Sequence, residues 1–185
     1  DCNFNKHTRN GFSYTAGENV TAINCEFNYT GVNNDPRLSN PGAGVDIESD
    51  GKLYNLNGDF TNCKFIKNKG YGLVNDANAH LSRNMIFNNC TFHDLTDFAI
   101  GIKGKNFHFI GCKIYGSFLW GNMGDTLSLS TRFFNCDFED KPYFNGGTLE
   151  YITHKQPLIQ SDKFARNLSF DSCRFTVNDT NRSFM

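Results

Sequence analysis

Hydrophobic and polar positions along this chain alternate in short runs bounded by Gly, Asn and Asp, with no sustained helical period. The strongest regularity is a repeated string. Cys-x-Phe occurs at Cys2, Cys25, Cys63, Cys90, Cys136 and Cys173, with Cys112-Lys113-Ile114 as a variant. A Phe stands three positions before the Cys at Phe60, Phe87, Phe109, Phe133 and Phe170. The residue just before the Cys is Asn24, Asn62, Asn89 or Asn135, relaxed to Gly111 and Ser172. Successive Cys residues lie 23, 38, 27, 22, 24 and 37 positions apart. Four intervals fall in one length class, and the other two read as the same unit carrying inserted loops, at about 29–43 and 139–165. A recurring unit of this size is the signature of a solenoid.

Within one unit, the Phe before the Cys falls on one short strand, and the Cys with its following Phe falls on the next. The Asn between them makes a tight bend, where its tolerance of left-handed backbone is the physical requirement. Stacking unit on unit would align these Asn residues as a hydrogen-bonded ladder and the Cys and Phe residues as inner columns. A third strand follows by counting, because Gly11, Gly72 and Ala99 stand nine residues after Cys2, Cys63 and Cys90 and each opens an alternating run. The second unit supplies Gly44–Glu48 after its insertion, and later units offer Ser117–Trp120 and Thr148–Ile152. Alternation points Phe12, Tyr14, Val45, Ile47, Leu73, Ile100 and Ile102 inward. Ser13, Thr15, Asp46, Glu48, Val74, Asp76, Gly101 and Lys103 then share one outward face. Asn75 falls on the inward side and needs partners there. The expectation is an all-β solenoid of about seven coils, three short strands per coil.

This pattern, over nearly the whole chain, resembles the right-handed parallel β-helix of the pectate-lyase-like superfamily and of phage tailspikes. Asn40-Pro41-Gly42-Ala43-Gly44-Val45-Asp46-Ile47-Glu48 resembles a Gly-x-Gly-(Val/Ile)-Asp-Ile-Glu segment of polysaccharide-processing β-helices. The Asp-Asp pair and Gly-His-Gly signatures of polygalacturonases are absent. The resemblance implies a polysaccharide partner, a homotrimer, and a place in a virion tail or outside the cell. It fixes fold more tightly than activity. The chain opens at Asp1-Cys2-Asn3-Phe4, already inside a repeat, and reads as one β-helix domain that is a piece of a longer protein.

Charge removes some partners. A net charge of -1 leaves no electrostatic footprint for nucleic acid. No apolar run approaches the roughly 20 residues of a bilayer span, so no membrane insertion is expected. Seven Cys in one repeated context fit free thiols acting as small buried hydrophobes, although stacking distance alone does not exclude a disulfide. With no Cys-x-x-Cys pair, a zinc site is not expected.

The candidate chemistry sits on the outward face. Asp46 and Glu48 are two apart on one strand, which sets their carboxylates roughly 6.5–7 Å apart. Asp76 should stack beyond Glu48, and Lys103 beyond Asp76. Acids packed this closely raise at least one carboxyl pKa, as a general acid requires. A glycoside hydrolase would use Glu48 or Asp76 as acid and Asp46 among the groups activating water, with no cofactor. A calcium-dependent lyase, as the resemblance also allows, would hold Ca²⁺ on the acids beside a uronate and use Lys103 as base. A non-catalytic glycan-binding or fibre module is the third reading, in which Asp76 and Lys103 only neutralise one another. Tyr71, Tyr143 and Trp120 are candidates to stack on sugar, with Trp120 equally an inner residue. Glu150 and His154 would extend the same face.

Overall fold

The computed structural model describes residues 1–32, 39–76, 78–121, 126–140, 157–162, 165–178 and 185, and the backbone of Phe144–Asn145 and Thr148–Leu149. Apart from 3-10 turns at Ala79–Leu81 and Leu127–Leu129, the regular structure of these residues is β-strand. Strands that recur along the sequence lie side by side in parallel, so the chain builds large parallel sheets in a solenoid-like stack.

Three columns of strands account for the repeat. The first follows each Cys: Asn3–Asn5, Glu26–Asn28, Lys64–Asn68, the starts of Thr91–Ile102 and Lys113–Trp120, Asp137–Glu139 and Arg174–Thr176. The second contains Phe12–Ser13, Val45–Asp46, Tyr71–Asn75, the ends of the two long strands, and Ile159–Ser161. The third precedes each Cys: Gly17–Ile23, Asn55–Thr61, Ser82–Asn88, Lys105–Ile110, Thr131–Phe134 and Leu168–Asp171. In the second long interval, Ile159–Ser161 takes the rung for which Thr148–Ile152 was expected. Thr148–Leu149 pairs instead with Phe144–Asn145 in an antiparallel hairpin, because a two-residue link closes that pair locally.

Phe fills the inside. Phe60, Phe87, Phe109 and Phe133 align on neighbouring strands and stack face to face at 4.9, 4.9 and 4.6 Å between centroids. Phe27, Phe65 and Phe92 form a second column, at 5.1 and 4.7 Å. Between columns the rings meet edge to face, as Phe87 and Phe92 do at 70°, so both favourable ring geometries are used. All seven Cys are free. The thiols of Cys90 and Cys112 reach the Phe60 and Phe87 carbonyls of the preceding turn at 3.2 and 3.3 Å, and burial pushes the Cys112 thiol well above its usual pKa.

The bend before each Cys has the left-handed backbone its residues predict. Asn24, Asn62, Asn89, Gly111, Asn135 and Ser172 have φ of 54, 55, 51, 62, 53 and 54°. A Cβ at Gly111 would come 2.5 Å from Asn89 Oδ1, which accounts for glycine there. The side-chain ladder at this corner includes Asn62 donating to Asn24 at 3.3 Å. A longer ladder lies at a second left-handed bend inside the third column. Asn57 donates to Asn19, Asn84 to Asn57 and Asn106 to Asn84, at 3.2, 3.0 and 2.9 Å.

Candidate functional site

The second column carries the cleft. The strand Val45–Asp46 pairs with Phe12–Ser13 on one side and with Leu73 and Val74 on the other. Gly44 directly precedes it because two turns crowd together there: a Cβ would meet Asn68 Nδ2 at 2.6 Å and the Gly72 and Phe27 carbonyls at 2.8 Å. Val45, Ile47, Leu73, Ile100 and Ile102 are fully buried, as alternation requires. Asn75 is inside as well. Its amide donates to the Ile47 carbonyl at 2.5 Å, while its buried Oδ1 has no partner among the described residues.

On the outer side, Asp46, Glu48 and Asp76 line an open cleft of about 440 Å³ with Arg9, Asn40, Pro41, Tyr71 and Val74. The Tyr29–Gly42 loop thus reaches the acids through Asn40 and Pro41, which are joined by a cis peptide bond. The backbone register carries Glu48 next to Asp76 and Asp76 next to Lys103, since Ile47 N–H bonds to the Val74 carbonyl and Lys103 N–H to that of Asn75. Lys103 then pairs with Asp76 at 2.6 Å and with Asp162 at 3.6 Å.

Asp46 departs from its expected exposure. It belongs to the outward set but is only 3% exposed, with Asn10 Nδ2 donating to its Oδ2 at 2.8 Å. Burial first, then the charge of Glu48, raises its pKa to about 6, and a direct side-chain hydrogen bond with Glu48 adds to the rise. Asn10 and the charge of Arg9 oppose the shift without cancelling it. Like charges side by side cannot both ionise cheaply, so the Glu48 carboxylate helps to keep the proton on Asp46. Arg9 lies 3.9 Å from Glu48 on the solvent side.

Lys103 is a poor base here. The hydrogen bond it donates to Asp76 is the largest influence on it and raises its pKa against the opposing effect of burial. Among the described residues, no group of three or more His, Cys, Asp or Glu is placed to hold a metal ion. Trp120 packs against the core cluster and does not line the cleft, whereas Tyr71 does. Tyr143, Glu150 and His154 lie outside the described residues. Arg9, Asn10 and Asp162 join the site without having been anticipated. Asn10 had a usable signal, since it directly precedes Gly11, which opens the first outward run. No family model, curated protein or solved structure matches this chain.

Proposed function

We propose that the chain is a right-handed parallel β-helix of the pectate-lyase-like, tailspike-related kind that binds a bacterial surface or cell-wall polysaccharide and hydrolyses it. The observation that carries this is the Asp46–Glu48 pair, one member buried with its pKa raised to about 6, on the wall of an open cleft. Asp46 keeps its proton to about pH 6 beside Glu48 on the cleft wall, and in this reading that proton goes to the glycosidic oxygen. Asp76, paired with Lys103, is the carboxylate that takes a proton from the attacking water. The glycosidic bond breaks as the leaving oxygen is protonated, and water adds to the anomeric carbon. Lys103 positions Asp76. In this reading the chain belongs to a virion tail or a secreted protein and acts within a homotrimer.

Two observations weigh for hydrolysis over calcium-dependent elimination. Lys103 keeps its proton more tightly than a free lysine, and the acids are engaged by Asn10, Arg9 and Lys103 rather than arranged as an oxygen cage. One observation favours a non-catalytic glycan-binding or fibre module. Lys64–Glu26 and Arg174–Asp137 also pair across turns, at 2.9 and 3.0 Å, so cross-turn neutralisation is a general habit of this surface.

A panel of capsular and cell-wall polysaccharides, assayed for new reducing ends with and without a calcium chelator, separates the three. Hydrolysis predicts chelator-insensitive reducing ends and no unsaturated-uronate absorbance, with activity falling as pH rises above about 6. Asp46→Asn and Glu48→Gln should each lower kcat at least about a hundredfold while the chain stays folded. Turnover retained in both variants would remove the assignment, and binding without cleavage by the wild type would leave the binding module.

A further inference from the structure

The first turn presses closely on the start of the acid strand. Gly11 N–H bonds to the Ala43 carbonyl and Phe12 N–H to the Gly44 carbonyl, at 3.0 Å each. A Cβ at Gly11 would come 2.6 Å from that Gly44 oxygen, so the approach needs a bare backbone. It carries Asn10, the neighbour of Gly11, over Ala43 and Asp46. Both ends of the Asn10 amide are engaged there. Its Oδ1 accepts from Ala43 N–H at 3.3 Å, and its Nδ2 donates to Ser13 Oγ at 3.0 Å and to Asp46 Oδ2 at 2.8 Å.

The chemistry of these partners leaves the amide one orientation. A backbone N–H only donates, so the end of Asn10 that faces Ala43 must be its oxygen. The end that faces Asp46 is then the NH2 group, which only donates. Turning the amide over would set N–H against N–H at Ala43. Asp46 Oδ2 is therefore held as an acceptor in both protonation states. In a protonated carboxyl the carbonyl oxygen accepts better than the hydroxyl oxygen, so a donor fixed at Oδ2 leaves Oδ1 to carry the proton. Once that proton departs, the same N–H faces a carboxylate and its hydrogen bond strengthens.

We propose that Asn10 is a positioning residue that keeps the Asp46 proton on Oδ1 and steadies the carboxylate left behind when the proton is given up. The placement of the proton stands by itself; its use in catalysis rests on the hydrolase reading above. In that use the Oδ1–H bond breaks as an O–H bond forms on the leaving glycosidic oxygen, and the charge stays on Asp46. The other charged groups around Asp46 are Glu48 on its own strand, Arg9 from the first turn and Asp76 on the cleft wall. Asp35 and Arg37 lie outside the described residues. All five are common to the wild type and an Asn10 variant, so the difference between the two isolates the Asn10 donor.

Neutron diffraction from crystals of the full chain at about pD 5, below the Asp46 midpoint, tests the placement directly. The Asp46 deuteron should lie on Oδ1, with an Asn10 N–D aimed at Oδ2. A deuteron on Oδ2 overturns the proposal. Carbon-13 NMR titration of the Asp46 carboxyl then separates positioning from a merely structural tie. Asn10→Ala removes both the donor and the anchor to Ala43, whereas Asn10→Asp keeps an acceptor for Ala43 and lacks the donor. Each should move the Asp46 midpoint up by about one pH unit. An unmoved midpoint in Asn10→Asp would show that Asn10 only ties down Ala43, which also overturns the proposal. If Asn10→Ala fails to fold, Asn10→Asp and the wild-type neutron map still decide. On a cleaved polysaccharide, the alkaline limb of kcat should rise with the NMR midpoint in Asn10→Asp, with KM within about twofold. A limb that stays put while the midpoint moves would sink the catalytic use of Asp46 and spare the placement of its proton.

Discussion

At the scale of single residues, Asp46 has the most to say about both stability and chemistry. Folded Asp46 keeps its proton to about pH 6, against 3.8 for its ordinary value. Between those values the folded chain binds more protons than the unfolded one, so this group's contribution to stability falls as pH rises through the window and is level above it. Burial is the leading cause, and the amount at stake is about 2–3 kcal/mol. Asp46→Asn removes the titration and leaves an amide oxygen to receive the Asn10 donor. Melting curves between pH 4 and pH 7 should therefore show the variant gaining on the wild type as pH rises. A difference independent of pH would mean that Asp46 is not held protonated. The cost borne by an ionised Asp46 is what makes the group useful, because an acid that releases its proton reluctantly is one that still has it near neutrality.

At the scale of elements, the bends carry the specification. Asn84 sits at φ 60°, donates to Asn57 and accepts from Asn106. Asn84→Gly loses both side-chain hydrogen bonds but keeps the backbone conformation at no steric cost. Asn84→Ala loses the same bonds and adds left-handed strain of about 1–2 kcal/mol. Chemical denaturation should rank the alanine variant below the glycine variant by about 1 kcal/mol, and the reverse order would show that the bend is not what asparagine is needed for. The corner before Cys was legible because Asn, Gly and Ser share one requirement there, and Gly111 states it most plainly. The second bend was equally written in the chain, six positions before the Cys, at Asn19, Asn57, Asn84, Asn106 and Asn167. It was missed because the Cys-x-Phe string drew the repeat boundary short of it. Alternation placed Glu48, Asp76 and Lys103 in a row, since neighbouring strands fix that order. It could not place Arg9 or Asp162, which reach the site from outside the alternating runs, nor show that Asp46, on the outward set, is buried.

At the scale of the whole molecule, turns contact mainly their neighbours, so a residue matters according to how many turns close over it. Phe87 is covered from both sides. It stacks on Phe60 and on Phe109 at 4.9 Å each and takes edges from Phe65 and Phe92. Phe4 is the first ring of the other column and, among the described residues, stacks on Phe27 at 4.9 Å, with Phe12 at 6.4 Å and its outer face partly open. Phe87→Ala should cost about 3–5 kcal/mol, the loss of a buried ring plus the cavity left behind. Phe4→Ala should cost about half as much or less, because the truncated ring leaves an open face rather than a sealed void. Denaturant midpoints of the two variants in this chain measure the difference. Equal losses would mean that the first turn is as tightly covered as the middle, and that stability is not passed from turn to turn.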